Sequence, residues 1–206
     1  MNRVPHVCLA IVLGLLVWSG IAPKSRFTWM LEVLPVVLAL PVLIGTFRRF
    51  PLTPLAYLLI TIFAAILCVG GHYTYEEVPL GNWLREWFGW KRNHYDRIGH
   101  FMQGFVPALL TREVLLRTSP LRPGKWLFTT VAAFALAISA VYELVEWTVA
   151  ELAGDSADAF LGMQGDVWDT QKDMALAWFG AIVCQLMLNR WHDRQLEQLR
   201  VRPSKF

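Results

Sequence analysis

Cysteine is scarce and scattered, with Cys8, Cys68 and Cys184 the 3 thiols of the 206-residue chain. Each lies inside an apolar run and none forms a CxxC pair, which argues against a disulfide framework and a thiolate metal site and leaves them as core thiols. Charge is thin as well. Asp, Glu, Lys and Arg make up 17% of the residues, against about 25% in soluble domains. The net charge of +3 is spread between apolar segments and does not gather in one patch, so no nucleic-acid partner is expected. HExxH, GxSxG and a phosphate-binding glycine loop are absent, and each would have specified a reaction. The chain also lacks internal repeats and low-complexity tracts.

Apolar sequence is what the chain has in quantity. Hydrophobic residues are 55% of it and the mean hydropathy is +0.41, more than a soluble surface tolerates. A bilayer core about 30 Å thick requires roughly 20 apolar residues per helix. Six runs meet that need, at about 5–22, 29–47, 52–71, 98–116, 126–150 and 174–191. The expected fold is an all-α polytopic membrane helix bundle of about six transmembrane helices, forming a single integral membrane domain over residues 1–206. The first run follows a lone Arg3 as a secretory signal would, but Pro23 and the bulky Trp18 at the would-be cleavage site favour a retained helix. Pro35 and Pro41 are tolerated in the second, because neighbouring helices can satisfy the freed carbonyls. Residues 81–90 combine Trp83, Trp87, Phe88 and Trp90 with Arg85 and Glu86, the pattern of a short interfacial helix.

The basic residues set the expected orientation. With the amino terminus in the cytoplasm, the inside segments hold 12 of the 19 Lys and Arg residues and the outside segments 7. Both termini are therefore expected inside, in a bacterial inner (cytoplasmic) membrane. Under that topology the polar residues meet on the non-cytoplasmic side. The third helix ends at His72, followed by Glu76 and Glu77; the fourth begins with Asp96, Arg97 and His100. The fifth carries Glu143 and Glu146 in its outer half, and the sixth begins near Asp166, Asp169 and Asp173. Asp96 and His100 are spaced i, i+4, Glu143 and Glu146 i, i+3, and the three aspartates i, i+3, i+7, so each set shares one helix face.

Carboxylates at membrane depth are costly unless paired, which makes Arg97, His100 and Lys172 the expected partners of Glu143 and Glu146. Plain structural roles compete with function here. Asp96 and Asp169 suit helix capping, and His100 with Glu143 suits a buried pair that fixes packing. His6, His94 and His192 read as surface or interfacial groups. As a functional site, the cluster of His72, Asp96, Arg97, His100, Glu143, Glu146, Asp166, Asp169 and Asp173 would bind a lipid or lipid-linked envelope precursor. His72, His100, Glu143 and Asp169 would be the set to hold a divalent metal such as zinc or manganese. A metal-dependent hydrolase or transferase acting on a lipid headgroup is the second reading, and a proton-coupled transporter the third. No catalytic residue is assigned.

Residues 71–81 (GHYTYEEVPLG), 92–105 (RNHYDRIGHFMQGF), 139–147 (SAVYELVEW) and 162–174 (GMQGDVWDTQKDM) resemble, in the same order, the YjdF family of bacterial inner-membrane proteins. The resemblance covers nearly the whole chain and implies location and architecture, with no established reaction. More distantly, Asp96, His100 and Phe101, then Glu143 or Glu146, then Asp166 with Asp169, are similar to an element of VanZ-like membrane proteins. Arg97 and Trp147 depart from the residues usual there.

Overall fold

The computed structural model describes residues 3–153, 160 and 163–201. Seven helices account for most of them: α1 (Val4–Gly20), α2 (Arg26–Thr46), α3 (Pro54–Tyr73), α4 (Pro79–Phe88), α5 (Tyr95–Thr118), α6 (Lys125–Ala153) and α7 (Asp169–Val201), with a single 3₁₀ turn at Tyr75–Glu77. No strand occurs among the described residues. Each apolar run of the sequence corresponds to a helix, and the interfacial segment corresponds to α4. Arg202 and Lys205 of the basic tail lie outside the described residues.

Local chemistry sets the helix starts. Ser25 caps α2 by accepting from the Thr28 amide, and Thr53 caps α3 by accepting from the Ala56 amide. Pro54 and Pro79 stand in the first turns of α3 and α4, where the missing N–H is not needed. Gly89 ends α4 in the left-handed conformation, φ 65°, which a side chain would strain. On α4 the Trp83 and Trp87 rings are exposed, and so are Phe88 and Trp90 beside it, as suits an aromatic surface at the headgroup level.

α2, α3 and α6 are each long and apolar enough to cross a membrane, and α1 is apolar but shorter. α5 and α7 fall short of that composition, because the polar residues they carry point into the bundle. Asp96, His100, Gln103, Arg112 and Glu113 of α5 are buried, as are Asp169, Asp173, Gln185 and His192 of α7. Outward faces are apolar instead: Leu38 and Val42 on α2, Val141 and Leu144 on α6, and Leu186 and Met187 on α7 are all exposed. That pattern is expected where lipid and not water covers the surface.

α5 and α7 form the most intimate pair, and glycine is the reason. A Cβ on Gly104 would collide with the backbone of Ala177, and one on Gly180 would stand 3.1 Å from the Phe101 carbonyl carbon. Small residues at such a seam let two helix backbones approach closely. Around it Leu55, Ala56, Val106, Leu109, Leu127, Val131, Ala135 and Ala181 build the main apolar core from α3, α5, α6 and α7. A second core joins Val12, Val36, Ala64, Leu67, Tyr75 and Tyr95.

Polar side chains concentrate at the two ends of the α5–α7 pair. At the end formed by the carboxyl end of α5, Glu113 accepts from the Thr53 amide at 3.0 Å and hydroxyl at 2.8 Å, from Arg117 at 2.8 Å and from His192 Nε2 at 3.0 Å. Arg112 donates to His192 Nδ1 at 3.0 Å and pairs with Asp193 at 2.7 Å. His192, expected at the surface, is fully buried. α7 continues past the apolar run as far as Val201 and carries the imidazole against α5.

Candidate functional site

The opposite end holds the residues singled out from the sequence. α5 enters it through Asn93, whose side chain accepts from the Tyr95 amide at 2.9 Å and starts the helix, leaving the Asp96 carboxylate free of a capping role. Asp96 turns instead towards Arg92, 3.5 Å away, and His100, 3.3 Å away. All three sit on one stripe of α5 and its lead-in, because they are spaced by four residues. The Asp169 carboxylate does not cap α7 either. It lies between two guanidiniums, 2.6 Å from Arg92 and 2.5 Å from Arg97. Arg97 also reaches Asp173 at 2.5 Å and Asp166 at 3.2 Å.

The α6 acids face the same space from a third helix. Glu143 Oε1 lies 3.6 Å from His100 Nδ1, and the Thr170 hydroxyl lies against the same carboxylate. Glu146 is buried beside it, within electrostatic reach of His100 and Asp96. Asp166, at the mouth of the site, is 2.6 Å from the Lys172 ammonium. That hydrogen bond holds its carboxyl below the usual carboxylate range.

Eight of the nine residues expected at the site are thus brought together: Asp96, Arg97, His100, Glu143, Glu146, Asp166, Asp169 and Asp173. His72 is not among them. Its Nδ1 is 3.0 Å from the Ser19 carbonyl, and its ring stacks on Trp18 at 4.7 Å and meets Tyr73 edge-on. These contacts tie α3 to α1, so the set of His72, His100, Glu143 and Asp169 does not form a common ligand shell. Asp169 is also engaged by the two arginines. The ligand atoms that do converge belong to Asp96, His100 and Asp173, all within 4.8 Å of one another.

Sequence reading missed several members. Glu32 of α2 is buried at 3% exposure, with the Tyr75 and Tyr142 hydroxyls against it and Asp96 and His100 in electrostatic reach. Its signal was available, since it is the single acid in an otherwise apolar helix. Arg92, in the loop before α5, is a second missed member, 2.6 Å from Asp169. Tyr75 reaches the site because the chain reverses at Thr74 and lays the ring across two glycines: a Cβ would stand 2.6 Å from it at Gly70 and 3.0 Å at Gly99. Gln103, one turn after His100, has its Oε1 3.0 Å from His100 Nδ1.

The acids of this site, contributed by α2, α5, α6, α7 and the loop before α7, outnumber its cations Arg92, Arg97 and Lys172. Glu143 Oε1 and Asp96 Oδ2 are buried and make no hydrogen bond. Chemically, the arrangement is a largely desolvated, acid-rich cluster with one imidazole and two guanidiniums.

One turn further along the helices the lining becomes apolar. Pro35 and Val36 follow Glu32 by three and four residues, and Val106 and Pro107 follow Gln103 by the same steps. All four line a cavity of about 610 Å³ between α1, α2, α3 and α5, together with Cys8, Val12, Ala64 and Leu67.

Comparison with known proteins agrees with this architecture. Residues 4–194 match the family described as "Predicted membrane protein (DUF2238)". The chain is 50% identical over 184 residues to "Inner membrane protein YjdF" of Escherichia coli (strain K12), covering 89% of this chain and 88% of that protein. No solved structure matches. These matches give no support to the distant VanZ-like similarity. They specify a membrane location and leave the chemistry to be read from the site. The chain belongs to the DUF2238 family of membrane proteins.

Proposed function

We propose that the protein is a multi-pass inner-membrane protein with both termini in the cytoplasm. Its buried acid–histidine–arginine pocket opens to the non-cytoplasmic side and receives the polar head of a lipid or lipid-linked envelope precursor. The orientation rests on the excess of Lys and Arg in the amino-terminal, 48–49, 112–125 and carboxy-terminal segments.

The observation that carries the reading is the succession, along the same helices, of the polar cluster and the apolar cavity. Helix faces that present Glu32 and Gln103 to the acids present Val36 and Pro107 to the 610 Å³ cavity one turn on. An amphiphile needs such an arrangement, in which few polar groups orient the head while an apolar lining accepts the chain. A water-soluble ligand would leave the apolar part unused. The exposed aromatic surface of α4, at the mouth of the polar end, suits the headgroup level from which such a molecule would enter.

Native mass spectrometry of the delipidated protein, offered phosphatidylethanolamine, phosphatidylglycerol and a polyprenyl phosphate in equal amounts, tests the reading. One class is expected to be retained at least tenfold over the others. Val36→Trp, which fills the cavity, is expected to lower retention of all three. Equal retention of the three classes, unchanged by Val36→Trp, would overturn the reading.

A further inference from the structure

We infer that Asp96, His100 and Asp173 form a binding site for one divalent transition-metal cation, with coordination positions left open. The inference deepens the headgroup-binding reading of the same pocket, since a cation held there would offer those positions to a phosphate or hydroxyl oxygen.

The argument lies in which atom of each side chain is already engaged. Asp173 gives Oδ1 to Arg97 at 2.5 Å and leaves Oδ2 facing His100 Nε2 at 3.9 Å. Asp96 turns Oδ2 to Arg92 at 3.5 Å and leaves Oδ1 facing the same nitrogen at 3.3 Å. His100 has Nδ1 3.0 Å from the Gln103 side-chain oxygen. A carbonyl oxygen only accepts, so Nδ1 carries the proton and the Nε2 lone pair points at the two carboxylates.

Asp173 and His100 are therefore each held from behind by a hydrogen bond, Asp96 faces the Arg92 guanidinium behind it, and the three inner atoms converge. Outer partners of this kind fix tautomer and orientation in metal sites. Ligands about 2.0–2.2 Å from an ion stand about 3–4 Å from one another, and the two distances from Nε2 fall in that range. Three protein ligands with a position left open is the pattern of a metal site that meets a substrate rather than one that only braces a fold.

A separate observation points to a further positive charge beside this histidine. Glu143, on a different helix, is 6% exposed and turns Oε1 towards His100, yet that oxygen makes no hydrogen bond. Buried carboxylate oxygens are rarely left so. Glu143 Oε1 stands on the Nδ1 side of the ring, and a cation held at Nε2 would make the Nδ1–H it faces a stronger donor. One nitrogen with two carboxylate oxygens suits Mn²⁺ or Zn²⁺.

Mn²⁺ titration of detergent-purified protein, followed by electron paramagnetic resonance with no lipid added, tests the site. One ion per chain is expected, displaced by Zn²⁺, with a spin-echo modulation from one imidazole nitrogen. His100→Gln and Asp173→Asn are expected to abolish binding, and Gln103→Leu to weaken it about 10–100-fold. His72→Gln should leave it unchanged. The nitrogen signature is read on the unaltered protein and stands even if a variant fails to fold. No stoichiometric Mn²⁺, a bound ion without nitrogen coupling, or binding indifferent to His100→Gln would each overturn the assignment. Because lipid is absent, metal bound without any headgroup preference would refute the headgroup reading alone.

Discussion

At the scale of single residues, the two polar clusters differ in how completely their atoms are paired. Glu113 accepts from the Thr53 amide and hydroxyl, Arg117 and His192, and His192 is fixed as the Nε2–H tautomer because Arg112 donates to Nδ1. A network closed in this way is structural, and the loss of one member leaves the others buried and uncompensated. Glu113→Leu is therefore expected to destabilise the protein by about 3–5 kcal/mol, measured by thermal unfolding in detergent. His192→Leu with Glu113→Leu should recover part of that loss, because the pair is removed together. The Asp96–His100–Glu143 cluster retains carboxylate oxygens with no hydrogen bond, which is why binding was assigned to that end. Neither Glu113 nor His192 stood out in the sequence. Glu113 falls between Arg112 and Arg117 near the end of its run, as a solvated acid would, and His192 follows the apolar run of the last helix, so nothing local marked its buried face.

Among the elements, the α5–α7 seam decides whether the site exists, because Asp96, Arg97 and His100 on one helix meet Asp169 and Asp173 on the other. Gly104 and Gly180 allow the approach. Gly104→Val would push against the Ala177 backbone, a rigid neighbour, at a cost of about 1–3 kcal/mol in overpacking. A lower melting temperature is expected in detergent. A cysteine pair across the seam would cross-link less in that background than with Gly104 intact. Helix positions were legible in the sequence because apolar length and capping residues are local properties. The extra turns at the carboxyl end of α7 were not, since polar residues buried against a partner helix look the same as solvated ones until the partner is known. Spacing did show that Asp96 and His100, and Asp169 and Asp173, share faces. It could not show that His72 faces α1 while Glu32 faces His100, because that depends on how α1, α2 and α3 rotate against one another.

For the whole molecule, the apolar outer faces and the inward polar residues of α5 and α7 describe a bundle turned inside out relative to a soluble protein. Lys91, at the polar-site end, and Pro123, between α5 and α6, are both exposed and lie on opposite sides under the proposed topology. A membrane-impermeant maleimide applied to intact spheroplasts is expected to label Lys91→Cys at once. Pro123→Cys should react only after the membrane is opened. The reverse pattern would invert the orientation and place the pocket in contact with the cytoplasm.

Pro107 lies in α5 between the two clusters, seven residues after His100 and six before Glu113. Proline removes one backbone hydrogen bond from a helix interior and so provides a point of bending. Glu113, His192 and Arg112 fix the arm after Pro107 to α7, and Arg97 with Asp169 and Asp173 fixes the arm before it. The freedom that Pro107 gives α5 is thus confined between two pinned arms, which keeps Asp96 and His100 in register with Asp173.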